Sequence, residues 1–278
     1  MYYREKRWKQ RKTKNVKVEE SLELLDVRIF PITIKEKNQS RKQKTRETAP
    51  KQKSLNDKRS KEYFTRLVHC NFDQSDYVIH ATFTDDKRPL SNDDIDKEFK
   101  NYIKRINRRR KKEGLENARY IAVTEGVKGS ANVHFHIIID GDLNRDILED
   151  LWNGRGFVNV DRLQINEEGL TALIKYMTKE DKNNSKKWRP SLNLKKPKIE
   201  VNDSRFKKRK VLNMLNNHPS REELENLYPG YSLTYYKMNY NQEYGNVYID
   251  IKLRKYVKNE EDLQKVFKRT KANKKVRY

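Results

Sequence analysis

Two histidines separated by one residue, His134 and His136, lie in a run of strand-forming residues that reads VHFHIIID. Successive side chains of a strand point to opposite faces, so both imidazoles are predicted on one face and Phe135 on the other. Neutral imidazole is a common ligand of divalent metal ions. Taken alone, the pair fits two half-exposed histidines better than a metal site, so its interpretation depends on the segments around it.

A carboxylate is predicted to join the two histidines. Residues 120–124 form a second run of strand-forming residues, and a loop that begins near Gly126 separates it from the histidine run, which predicts a hairpin. Glu125 ends the first strand of this hairpin and can reach the same face. Two nitrogens and one carboxylate, with coordination positions left open, suit a divalent ion. Asp85 and Asp86 are alternative sources of the third ligand.

A predicted helix further along the chain carries a candidate nucleophile. Residues 169–180 read GLTALIKYMTKE, and their apolar side chains recur every three or four positions, which is typical of an amphipathic helix. Tyr176 and Lys179 are three residues apart and would share a face. A tyrosine hydroxyl becomes a nucleophile when a nearby ammonium group or metal ion stabilises its charge. Because the chain has 16 tyrosines, packing is the alternative role for any one of them.

This combination of an HxH strand and a Tyr-x-x-Lys helix resembles the HUH endonucleases, specifically the rolling-circle replication initiators of small plasmids, filamentous phages and microviruses. In that family a hydrophobic residue separates the histidines, as Phe135 does here. Residues 71–85 resemble the family's first motif, residues 118–136 its second and residues 172–179 its third. Two-tyrosine members carry a second tyrosine at the position of Ala172, and this departure favours a single-tyrosine mechanism.

The resemblance implies a mechanism and a set of partners. His134, His136 and Glu125 would hold Mg²⁺ or Mn²⁺, and Tyr176 would attack the scissile phosphate of single-stranded or hairpin origin DNA. A 5′-phosphotyrosine and a free 3′-hydroxyl would result, and Lys179 would position the phosphate. The hydroxyl would prime a host polymerase. The sequence contains no glycine-rich P-loop motif, so a host helicase is expected to unwind the duplex.

Other functions on the same fold remain open. A single-tyrosine transposase shares the order of motifs but is generally much shorter. A conjugative relaxase usually places its tyrosine before three histidines, whereas Tyr176 follows an HxH pair. A non-catalytic nucleic-acid-binding protein is the alternative from another class, and substituted histidines would have favoured it.

The elements that must position these residues predict an α+β fold. Residues 61–69 and 91–113 are predicted helices, the second with Ser91 as N-cap and Gly114 as its stop. Strands are predicted over residues 77–84 and 156–163, with a short helix over 144–152. This order predicts an antiparallel sheet with helices on one face, and the resemblance implies an RRM-like (ferredoxin-like) nuclease core over residues 60–200 with the histidine strand central.

The segments outside this core are predicted to be peripheral. Residues 1–59 are interpreted as a basic, partly flexible N-terminal extension with an apolar island at residues 22–34. Residues 201–253 are predicted to contain a basic helix and a tyrosine-rich β-hairpin, and residues 254–278 a basic tail. The tyrosines could stack on exposed bases, or form the half-buried face of a small sheet.

The charge distribution indicates a polyanionic partner. The net charge is +24, and residues 1–60 carry nineteen Lys/Arg against eight Asp/Glu, residues 251–278 eleven against three, which leaves +5 for the middle of the chain. Basic ends on a nearly balanced core are typical of nucleic-acid binding, with a solubilising role as the alternative. The single cysteine, Cys70, excludes an internal disulfide. No apolar run approaches the roughly 20 residues that span a bilayer, so a soluble, cytoplasmic protein without membrane partners is expected.

Overall fold

The computed structural model describes residues 2–10, 21–32, 50–126, 133–166, 168–179 and 188–257. The chain forms two compact units, one of residues 1–59 with 197–278 and the other of residues 60–196. The loop after Gly126, most of the run at residues 33–49 and the tail from residue 258 were assigned roles from the sequence but lie outside the described residues.

The elements follow one another along the chain in this order: β1 (Tyr2–Gln10), β2 (Ser21–Ile32), α1 (Pro50–Asn71), β3 (Tyr77–Thr82), a 3₁₀ turn (Asp85–Lys87), α2 (Asn92–Lys112), β4 (Tyr120–Glu125), β5 (His134–Ile139), α3 (Arg145–Asp150), β6 (Val158–Arg162), α4 (Thr171–Met177), β7 (Arg189–Pro190), β8 (Lys198–Phe206), α5 (Lys208–Asn217), α6 (Arg221–Asn226), β9 (Ser232–Asn241) and β10 (Asn246–Val257). None of the helices in the described ranges combines the length and apolar character that crossing a bilayer demands.

The unit of residues 60–196 contains an antiparallel sheet with strand order β6-β3-β5-β4-β7. The α+β class is therefore confirmed, and the histidine strand β5 is central as expected. β5 is central because it alone pairs with both long neighbours, β3 and β4, and its residues from Phe135 to Ile139 are fully buried. This arrangement is compatible with an α+β nuclease core.

Helices cover both faces of this sheet, where the sequence analysis expected them on one. Phe135, Ile137 and Ile139 pack with α2 and α3 on the first face. Ile138 lies on the second face with Val78 of β3, and α1 and α4 cover it through apolar residues that include Phe64 and Ile174. Both faces are apolar, and burying both from water requires helices on both sides.

The predicted ends of α2 are observed, but one residue of its basic cluster points inward. The Ser91 side chain accepts a hydrogen bond from the Asp94 amide, and Gly114 adopts φ 74° after the helix. Arg110 is 2% exposed and forms ion pairs with Asp140 at 2.5 Å and Asp142 at 3.1 Å. This part of the cluster therefore holds the fold together and is not available to a phosphate.

The other unit contains an antiparallel sheet with strand order β8-β1-β2-β10-β9. β2 lies beside β10, with Ile29 opposite Ile249, and its buried side chains form a core with α5 and α6. Strands from residues 1–59 and from residues 201–253 thus share one sheet, whereas the sequence analysis treated the two regions separately. The apolar island forms β2, and residues 50–59 of the run expected to be flexible are helical.

The tyrosine-rich region divides between core and surface. Tyr228 is buried and donates a hydrogen bond from its hydroxyl to Glu5 at 2.6 Å. Tyr231 and Tyr236 pack against the same core. Four others are exposed: Tyr235, Tyr240, Tyr244 and Tyr248. Base stacking by the exposed group stays a prediction.

Candidate metal centre and tyrosine site

The register of three strands brings the polar residues of the site together. Glu125 of β4 lies opposite His134 of β5, and His134 lies opposite Thr82 of β3. One pair further along the sheet, His136 lies opposite His80. Because side chains alternate along each strand, these residues share one face of the sheet, which is named the site face below.

Glu125, His134 and His136 form a group that could hold a metal ion. Glu125 Oε2 lies 2.8 Å from His136 Nε2 and 3.2 Å from His134 Nε2. Their candidate ligand atoms all lie within 4.8 Å of one another. His136 is buried, while Glu125 and His134 are half-buried, so the group has a closed side and an open side. Two nitrogens and a carboxylate fit a divalent ion of the Mg²⁺, Mn²⁺ or heavier first-row type.

The protonation states of this group suit ligation. Burial lowers the pKa of His136 to about 4, although the hydrogen bond to Glu125 opposes that shift. Burial by itself would raise the pKa of the Glu125 carboxyl, but the hydrogen bond with His136 and the two imidazoles lower it overall. At neutral pH the site therefore presents a neutral His136 imidazole and an ionised carboxylate, the forms that bind metals.

A third histidine, His80, contacts His136 from β3. The Nδ1 atoms of the two rings lie 2.8 Å apart, and the rings meet edge to face with centroids 4.8 Å apart. Burial lowers the pKa of His80, with Asp161 opposing the shift. Since both rings are neutral, one Nδ1 donates and the other accepts, and this bond fixes the orientation of the His136 ring.

Tyr176 lies against the same histidine. Its ring meets that of His136 edge to face, with centroids 5.4 Å apart and an interplanar angle of 82°. Ile174 and Met177 anchor α4 in the core, while the Tyr176 side chain remains 56% exposed. The predicted nucleophile thus lies beside the predicted ligands and is open to solvent.

Lys179 lies beyond the helix that was predicted to carry it. α4 ends at Met177, and the backbone N–H of Lys179 donates to the Tyr176 carbonyl at 3.2 Å. The Thr178 hydroxyl donates to the Ile174 carbonyl at 2.8 Å, and the Lys61 ammonium donates to the Thr178 carbonyl at 2.6 Å. These bonds satisfy carbonyls at the helix end, so the helical spacing of Tyr176 and Lys179 does not apply. Lys179 is exposed, and its role stays a prediction.

The alternative carboxylates and the missed residues can now be placed. Asp85 forms an ion pair with Arg88 in the 3₁₀ turn, and within the described ranges Glu125 is the carboxylate that joins the histidines. Sequence reasoning missed His80 and Lys61. His80 was detectable, because it alternates with Thr82 in a predicted strand, but only the register of β3 against β5 aligns it with His136.

Comparisons with known proteins agree with this location. Residues 76–181 match the model of the replication-associated protein ORF2 family, a family of replication initiators, and this segment contains the candidate ligands, Tyr176 and Lys179. The hypothetical protein ORF119 from Sulfolobus islandicus rod-shaped virus 1 is similar at 18% identity, over 40% of this chain and 87% of its own, with a TM-score of 0.28. No curated protein matches the chain.

Proposed function

We propose that the protein is a site-specific, metal-dependent enzyme that nicks and rejoins single-stranded origin DNA to start rolling-circle replication. The contact between the Tyr176 ring and His136 carries this proposal, because it places a solvent-open hydroxyl next to a group with metal-ligand chemistry. The family match of residues 76–181 supports a role in replication. A host polymerase would extend the nicked strand and a host helicase would unwind the duplex.

Glu125, His134 and His136 would hold the ion, Mg²⁺ or Mn²⁺. Such an ion, when bound, supplies Lewis-acid charge that neutralises the scissile phosphate. His136 presents Nε2 towards the ligand group and would keep its proton at Nδ1, donating it to His80 Nδ1. Burial of His136 makes this arrangement rigid, because neither ring can rotate without leaving a buried nitrogen unpaired.

Tyr176 would be the nucleophile. Its oxygen attacks phosphorus and forms a Tyr–O–P bond while the bond from phosphorus to the 3′ oxygen breaks. The phenolic proton passes to solvent, and the departing 3′ oxygen takes up a proton and becomes a hydroxyl. The phosphotyrosine conserves the energy of the broken bond, so the reverse attack by a 3′-hydroxyl rejoins the strand. Lys179, exposed on the turn after α4, would position the phosphate.

The covalent adduct tests the proposal. With a labelled single-stranded origin oligonucleotide and Mn²⁺, the protein should carry the label on the 5′ side of the nick through denaturing electrophoresis, and peptide mapping should place it within residues 170–182. Tyr176→Phe removes one oxygen and should abolish the adduct while metal binding persists. Tyr63→Phe, which changes a tyrosine that is 36% exposed on α1, is the matched control and should form the adduct normally.

Two results would contradict this assignment. Label on a tyrosine of the region from Tyr228 to Tyr248 would overturn the choice of nucleophile. Cleavage without any adduct would indicate a hydrolytic nuclease whose nucleophile is water.

A further inference from the structure

Phe157 is a large apolar side chain that the fold leaves on its surface. It precedes β6 and is 72% exposed. Burying a phenylalanine stabilises a protein by roughly 1.5–3 kcal/mol, and this side chain forgoes that gain. Single exposed apolar residues are common and carry no meaning by themselves. The position of Phe157 relative to the candidate metal centre distinguishes it.

Phe157 continues the row of side chains that forms the metal centre. The Thr82 amide and hydroxyl both donate to the Phe157 carbonyl, at 2.8 and 3.0 Å, so the two residues lie opposite each other. The next residue, Val158, packs with the core on the other face of the sheet, and alternation therefore places Phe157 on the site face. The row across four strands reads Glu125, His134, Thr82, Phe157.

The separation between Phe157 and the centre suits a strand of nucleic acid. Phe157 lies two strand positions from His134, which corresponds to roughly 10 Å along the sheet. A phosphate held at Glu125, His134 and His136 would leave the base of a nearby nucleotide within reach of the Phe157 ring. An exposed ring face in this position matches the flat apolar face of an unpaired base.

The loop that presents Phe157 is fixed in several places. The Thr84 amide donates to the Arg155 carbonyl at 2.9 Å, and the Lys87 ammonium donates to the Gly154 carbonyl at 2.8 Å. Arg155 also pairs with Glu98 of α2. A Cβ on Gly156 would lie 2.4 Å from the Thr82 carbonyl oxygen, so the loop runs directly against the end of β3. The ring is therefore held out to solvent by a preorganised backbone, which lowers the entropy cost of stacking.

We propose that Phe157 is a stacking site for an unpaired nucleobase of the strand that occupies the metal centre. The inference rests on the proposed function, because it assumes that single-stranded DNA reaches this centre. It adds a binding site for a base, of any sequence, next to the site of cleavage. Duplex DNA would not use it, because the faces of paired bases are covered by their neighbours in the stack.

Binding measurements on the full chain test this site. The probe is a fluorescently labelled oligothymidylate, single-stranded or annealed to oligodeoxyadenylate, titrated in the presence of Mn²⁺. Phe157→Leu keeps an apolar side chain but removes the ring, and it should weaken single-strand binding on the order of 10- to 100-fold while duplex binding stays unchanged. Phe157→Trp should retain the affinity of the native protein. Leu90→Ala, at another apolar residue that is 77% exposed, should change neither affinity.

The proposal and the nicking function fail in different ways. Unchanged single-strand binding by Phe157→Leu, or equal loss for single strand and duplex, would overturn the stacking site even where the Tyr176 adduct forms. Selective loss of single-strand affinity without any adduct would uphold the stacking site and overturn the nicking function. Equal melting temperatures of the variants and the native protein would show that folding is intact.

Discussion

At the metal centre, His136 has a partner on each ring nitrogen. Nε2 lies 2.8 Å from Glu125 Oε2 and Nδ1 lies 2.8 Å from His80 Nδ1. A metal-ligating histidine usually bonds through its second nitrogen to a neighbour that fixes its ring, and His80 is placed to do so. The centre therefore depends on three histidines, of which two are candidate ligands and one is a positioning residue.

Removal of a candidate ligand should abolish both metal binding and nicking. We expect His134→Ala or His136→Ala to lose Mn²⁺ binding in calorimetric titrations and to lose cleavage of a single-stranded origin oligonucleotide. Retention of that oligonucleotide in gel-shift measurements should persist, because the basic segments lie elsewhere in the sequence. The native protein should stop nicking in chelator and recover with either Mg²⁺ or Mn²⁺. Full activity in chelator would contradict the metal assignment.

Replacement of His80 should weaken the metal centre without eliminating it. His80→Ala removes the partner of His136 Nδ1, and changes of this kind typically cost 10- to 100-fold in metal affinity. Calorimetric titration with Mn²⁺ measures the effect. His218→Asn is the matched control, because His218 is an exposed histidine at the end of α5 in the other unit, and asparagine tolerates its positive φ of 44°. An affinity equal to that of the native protein for His80→Ala would remove the positioning role.

The residues of the centre differ in how far the sequence predicts them. Glu125, His134 and His136 belong to one hairpin, so alternation along two adjacent strands was enough to bring them together. His80 comes from 56 residues away, and its contact depends on a strand register that local patterns do not determine. Lys179 was placed on a helix by its spacing, but hydrogen bonds from Lys61 and Thr178 end that helix earlier.

Among the elements, the sheet of β1, β2, β8, β9 and β10 was the least predictable. The strand character of residues 22–34 and of the tyrosine-rich hairpin was visible in the sequence. Their pairing was not, since β2 and β10 are more than 200 residues apart and nothing local selects one partner for a strand with a buried face. The central sheet of the other unit was predicted better, because its strands alternate with helices that have clear caps.

A buried carboxylate ties three parts of that less predictable sheet together. Glu5 of β1 is fully buried and accepts from Arg7 at 2.7 Å, from Arg205 of β8 at 2.9 Å and from the Tyr228 hydroxyl at 2.6 Å. Breaking a buried charge network by removing one partner costs about 3–5 kcal/mol. Glu5→Ala should therefore lower the free energy of unfolding of this unit by roughly that amount.

Urea unfolding followed by hydrogen exchange, which reports on the two units separately, measures this loss. Asp203→Asn is the comparison, because its ion pair with Arg4 is about one quarter exposed on both sides. Such a pair contributes roughly 0–1 kcal/mol. Equal losses for Glu5→Ala and Asp203→Asn would show that burial of Glu5 adds nothing to its network.

Across the whole molecule, charge and chemistry belong to different units. Residues 1–59 and 197–278 form one unit and contain both basic ends of the chain, whereas the candidate ligands and Tyr176 belong to the unit of residues 60–196. The basic N-terminal segment cannot simply be removed to test its role, because residues 2–10 and 21–32 form two adjacent strands of a sheet. Their deletion would uncover apolar residues of β10 such as Ile249 and Ile251.

Residues 258–278 offer a cleaner test of the charge, since they follow the last residue of β10 and lie outside the described residues. They carry eight Lys/Arg against three Asp/Glu. If these cations neutralise phosphates, their deletion should weaken binding to any duplex, and the slope of log affinity against log salt should flatten by about 0.9 for each phosphate that is no longer neutralised. Origin preference and formation of the Tyr176 adduct should persist, because the tail lies outside the unit that carries the candidate site. Replacing the same lysines and arginines by glutamine keeps the length and should reproduce the deletion. If either change instead abolished origin preference at unaltered non-specific affinity, the tail would read sequence, and the charge of this chain would have to be counted as part of its recognition of the origin.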